Sequence, residues 1–175
     1  MLKTLAFVVA LGLAGLLLAA SLRPATMTVA RSATVNAPPD KLFALINDLR
    51  QFNTWNPYER KDPRIRGSYS GPAAGPGALY QFEGNKEVGR GSLQIVDSVP
   101  GKVTMQLHMI EPFEGRNTVE FRLVPAASGT EVTWAMRCAS PFVARLAGLF
   151  FDMDQMIGRD FEAGLANLKQ RAERS

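Results

Sequence analysis

Six short stretches of alternating side chains follow one another between residues 64 and 139, each stopped by glycine, proline or a polar turn. This run limits what the chain can fold into more than any other feature, because period-two alternation over so few residues describes strands and not helices. The stretches are residues 65–69, 78–83, 88–99, 102–110, 117–124 and 130–139, broken at 70–77 (SGPAAGPG), 84–86, Pro100-Gly101, 112–115 and 126–129. Short connections make successive strands antiparallel neighbours. A seventh strand is expected at residues 27–37, with Val29, Arg31, Ala33 and Val35 on one face. Helical patterns flank the run. Pro38, Pro39 and Asp40 open one whose apolar stripe is Leu42, Phe43, Leu45, Ile46 and Leu49, and a short helix or turn follows at 51–55. Residues 142–172 repeat apolar side chains at three and four (Leu146, Leu149, Met153, Ile157, Phe161, Leu165), the stripe of one long helix. Gly148, Gly158 and Gly164 each cost about 1 kcal/mol against alanine inside a helix. Packing must therefore hold that helix, and the glycines let a sheet come close. The layout is α+β, a curved antiparallel sheet of about seven strands packed on a long C-terminal helix.

The N-terminus predicts a different element. Residues 5–22, LAFVVALGLAGLLLAASL, carry no charge, and as a helix they cover about 27 Å, close to the roughly 30 Å hydrocarbon core of a bilayer. Pro24 ends the run. Ala19 and Ser21 make a poor signal-peptidase site, so residues 1–24 read as a transmembrane anchor in preference to the alternative, a cleaved signal segment, with residues 25–175 as one domain. Lys3 at the start favours a cytoplasmic N-terminus and an extracytoplasmic domain, although Arg23 and Arg31 argue mildly for the reverse.

Composition removes several functions. A net charge of +4 without clustered cations gives no nucleic-acid footprint; Arg60, Lys61, Arg64 and Arg66 are diluted by Asp62 and Pro63. One cysteine, Cys138, and one histidine, His108, exclude an internal disulfide, a cysteine zinc cluster and a multi-histidine metal site within one chain. No Ser-His-Asp arrangement stands out, and the glycines at 71, 75 and 77 do not precede a helix as a phosphate loop would. No catalytic residue, metal or cofactor is expected.

Local motifs sharpen the picture. Residues 32–38 (SATVNAP), 45–49 (LINDL), Trp55-Asn56-Pro57 with Lys61-Asp62-Pro63, 84–91 (GNKEVGRG), 129–134 (GTEVTW) and 160–169 (DFEAGLANLK) occur in that order. Together, over residues 27–172, they resemble the polyketide cyclase/dehydrase and lipid-transport family of the START-like (SRPBCC) superfamily, and the N-terminal segment resembles its membrane-anchored members. The resemblance implies a helix-grip fold with a cavity between sheet and C-terminal helix for apolar or amphipathic molecules.

Strand alternation then nominates the side chains facing such a cavity. Tyr80 and Phe82 share one face, Met105 and Met109 another, and Phe121, Trp134 and Met136 follow, with Met153 and Ile157 on the helix stripe. Trp55 either rims the opening or caps the core. Methionines repack around varied shapes, which suits a binding surface. Arg137 and His108 fall on the opposite, outer faces of their strands. The expected function is membrane-tethered, non-catalytic binding of a hydrophobic small molecule or lipid. Two alternatives remain: a polyketide cyclase or dehydratase using His108, Tyr80 or Glu83, and a structural or stress-response interaction domain with a filled core.

Overall fold

The computed structural model describes residues 2–174, and the side chains of these other than 2, 3, 5, 6 and 9. Helix α1 (Leu2–Ser21) leads into β1 (Thr26–Val35), followed by α2 (Pro39–Asn47), α3 (Leu49–Asn53) and α4 (Pro57–Lys61). Strands β2 (Arg66–Ser70), β3 (Leu79–Glu83), β4 (Arg90–Val99), β5 (Lys102–Glu111), β6 (Gly115–Ala126) and β7 (Gly129–Ala139) come next, then α5 (Phe142–Ala147) and α6 (Met153–Glu173). The seven strands form one antiparallel sheet in the order β1-β7-β6-β5-β4-β3-β2. Each strand from β2 to β7 thus lies beside its sequence neighbour, as short connections dictate. All seven expected strands are present, with ends shifted by one or two residues.

Helix α6 crosses the inner face of the sheet. Phe161, Leu165 and Leu168 are buried against it. At Gly164 a Cβ would lie 2.5 Å from Trp134 Cζ3 and 3.0 Å from Pro57 Cδ, so only glycine admits the indole and α4 this close. Polar ties hold the helix along its length. Arg31 of β1 pairs with Asp154 and Glu162 at 2.9 Å each, Lys61 with Asp160 at 2.7 Å, and Lys169 Nζ donates to the Thr34 carbonyl at 3.1 Å.

Two expectations fail. The C-terminal helix is interrupted between α5 and α6. Gly148 ends α5, and the Asp152 carboxylate accepts from the Gln155 amide at 2.9 Å to start α6 afresh. The side chains of Phe150 and Phe151, in the break, are exposed. The second failure is the transmembrane helix: among the described residues no helix is long and apolar enough to cross a membrane. The C-terminal end of α1 docks on α5: Ala20 is fully buried, Arg145 donates to the carbonyls of Ser21 and Arg23, and Arg23 donates to that of Gly148. The single-pass anchor is therefore overturned, and the extracytoplasmic placement derived from it goes too. Lys3, which carried the orientation argument, lies outside the described side chains.

Candidate functional site

The inner face of the sheet changes character along the strands. Register sets Val103, Phe121 and Trp134 in one row across β5, β6 and β7, with Met105, Val119 and Met136 in the next. Phe52 of α3 and Trp55 just beyond it pack edge-on against Phe121 and Trp134, with centroids 5.9 to 6.2 Å apart. Trp55 Nε1 donates to the Leu45 carbonyl at 3.0 Å, and Trp134 stacks on Phe161 at 4.3 Å and 9°. This end is solid. Towards the other end Tyr80, Leu93, Leu107 and Asn117 form a further row across β3 to β6. There a cavity of about 240 Å³ lies between the sheet, α4 and α6, with Glu87 and Pro112 from two loops at its edge. Apolar side chains supply most of its wall, as in sites for small molecules generally.

The nominated residues divide accordingly. Tyr80, Phe82, Met109, Trp134, Met136 and Ile157 line the cavity. Trp55, Met105 and Phe121 are fully buried in the solid end, and Met153, in the first turn of α6, does not reach the cavity. His108 stands on the outer face of β5, its Nε2 3.8 Å from Glu114 Oε1, and Glu83 is exposed at the end of β3. Among the described residues no three His, Cys, Asp or Glu side chains converge as a metal site requires. Burial pushes the Cys138 thiol up, which suits packing rather than reactivity.

The polar content of the wall is what sequence reasoning missed. Tyr58 and Glu59 come from α4, a helix the sequence does not announce, and Asn56 caps it by accepting from the Tyr58 amide at 3.3 Å. Asn117 was legible in principle, since alternation puts it on the inner face with Val119 and Phe121. The Tyr80 hydroxyl donates to Glu59 Oε1 at 2.7 Å. Tyr80 is fixed by stacking against Tyr69 (4.7 Å) and Phe82 (6.0 Å), and its ring lies across Gly67 of β2, where any Cβ would collide with it.

Burial raises the Glu59 carboxyl above the ordinary glutamate range, offset in part by the hydroxyl it accepts. The Tyr80 phenol is raised by burial and by Glu59, and the Tyr58 phenol by burial and by Asp160. For Glu59 the native state holds its proton longer than the unfolded chain, so this group's contribution to stability falls as pH rises through its native pKa. Glu59→Gln is therefore expected to raise the urea midpoint near neutrality. It leaves the midpoint unchanged below the ordinary glutamate value of about 4.3, where both states are protonated. Equal midpoints at both pH values would show that the carboxylate is not strained by its surroundings.

Solved structures share this architecture. A Rhizobium leguminosarum protein superposes with a TM-score of 0.63 at 13% identity, over 86% of this chain and 96% of that one. A Mesorhizobium loti protein gives 0.62 at 16% over 85% and 98%, and a Thermus thermophilus protein 0.57 at 14% over 85% and 98%. Identities this low establish the fold alone. No curated protein matches the chain significantly. The sequence pattern described as polyketide cyclase / dehydrase and lipid transport matches residues 26–173, from the first strand to the end of α6. That span contains every wall of the cavity, and the chain belongs to the polyketide cyclase/dehydrase and lipid-transport family.

Proposed function

We propose that the chain binds an apolar small molecule between its sheet and α6 and performs no chemistry on it. One observation carries this reading: a void of about 240 Å³, walled mainly by aliphatic, aromatic and methionine side chains, lies between the sheet, α4 and α6 beside the buried hydrophobic core. Interiors normally leave few voids larger than a water molecule, and an apolar cavity of about 150 Å³ already accepts benzene. The size suits one or two rings or a medium-length chain, and lies below the 300–1,000 Å³ typical of drug-sized sites. The family's association with lipid transport supports the same ligand character.

The cyclase reading has less support. It would have to use Glu59 and Tyr80, because His108 and Glu83 stand away from the cavity.

The test is organic extraction of the purified full-length chain followed by mass spectrometry, with a panel of apolar compounds in thermal denaturation. A co-purifying apolar molecule, or a compound that stabilises the fold by about 2.7 kcal/mol at 100 times its Kd, is the expected result. An empty extract together with no stabilisation by any compound overturns it.

A further inference from the structure

Of the residues lining the cavity, only two are carboxylates, Glu59 and Glu87, and no lysine or arginine joins them. Glu59 is half-buried, and its Oε1 takes the Tyr80 hydroxyl at 2.7 Å. The two cations of α4 itself are engaged elsewhere. Lys61 pairs with Asp160 at 2.7 Å and Arg60 donates to Asn167 Oδ1 at 2.6 Å, both on α6. Glu59 thus presents a fixed, half-desolvated acceptor to an apolar cavity without a cation of its own. A carboxylate in that situation is costly unless an opposite charge arrives.

We infer that the cavity selects an apolar molecule bearing a protonated amine, which donates to the Glu59 carboxylate. The inference rests on the binding reading above and deepens it by naming the ligand's polar group. An amine arriving at Glu59 supplies the missing cation, and its hydrocarbon part occupies the space beside Leu107, Met109 and Ile157. A carboxylate or phosphate head would meet two acidic side chains and no basic one, a like-charge juxtaposition that excludes it. Tyr80 is a positioning residue here: wedged between Tyr69 and Phe82, it fixes one oxygen of the carboxylate.

The experiment compares octylamine, octanol and octanoate as probes by isothermal titration against the full chain near neutral pH. The three share a chain that the cavity can hold and differ only in the head. Octylamine is expected to bind at least tenfold tighter than octanoate. In Glu59→Gln, which keeps an acceptor for Tyr80, the ratio of octylamine to octanol affinity is expected to fall tenfold or more. Octanoate binding as well as octylamine in the unmodified chain overturns the inference, and that comparison needs no variant to fold. So does an affinity ratio that survives Glu59→Gln, or one that collapses with Glu87→Gln instead. If octanol binds while the amine preference is absent, only the inference falls. If none of the three binds, the inference falls too, and the extract and compound panel decide the binding reading separately.

Discussion

Replacing Phe121 with alanine is expected to cost about 3–5 kcal/mol of stability, whereas Leu107→Ala, on the adjacent strand, costs only about 1–2 kcal/mol. Both side chains point to the inner face of the sheet, and a list of hydrophobic positions would rank them together. Their surroundings differ. Phe121 is fully buried, with Phe52, Trp55 and Trp134 around its ring, so truncation leaves a hole bounded by rigid aromatic neighbours that cannot collapse into it. Leu107 is only partly buried and already borders the cavity, so its removal enlarges an existing space and forfeits part of one side chain's transfer energy. Urea denaturation of the two variants gives the comparison, read as a shift in midpoint at constant slope. Equal losses would mean that the sheet is packed uniformly along its strands and that the void does not persist.

The same contrast explains what the sequence conveyed about the site. Alternation tells which face a strand residue occupies, and on that question it served well: Tyr80, Phe82, Met109 and Met136 look inward, His108 and Arg137 outward. It carries no information on position along the strand. Met105 and Leu107 are two residues apart on one face, yet the first is fully buried and the second borders the cavity. What separates them is where α2 and α3 come down on the sheet, a tertiary fact that strand periodicity does not encode. Glu59 was illegible for a related reason. It sits in a charged stretch that resembles a solvated loop, and only the short helix begun at Asn56-Pro57 turns it towards Tyr80. The C-terminal stripe ran unbroken through Leu149 and Met153, but Gly148 and the Asp152 cap divide it. An apolar N-terminal run satisfied a hydropathy criterion, while the end of that segment is committed to α5 through Ala20, Arg23 and Arg145.

Enlarging Val119 to phenylalanine is expected to weaken octanol binding at least tenfold while changing stability by less than about 1 kcal/mol. In a filled core an added ring forces neighbours off their rotamers and costs about 1–3 kcal/mol. Val119 lies between Met105 and Met136 in register, at the junction where the solid end of the sheet meets the cavity. A larger side chain there has somewhere to go. It gains apolar contacts on entering the void, and the two flanking methionines adjust at little expense. The space it takes is the space a ligand needs. Binding and stability should therefore separate, the first lost and the second kept, which distinguishes a binding cavity from an interaction domain whose interior is merely packed. Titration with octanol and urea denaturation on the same preparation read the two quantities. A variant that loses the full overpacking cost would show the void to be filled in solution. One that keeps its octanol affinity would place the ligand somewhere other than beneath α6.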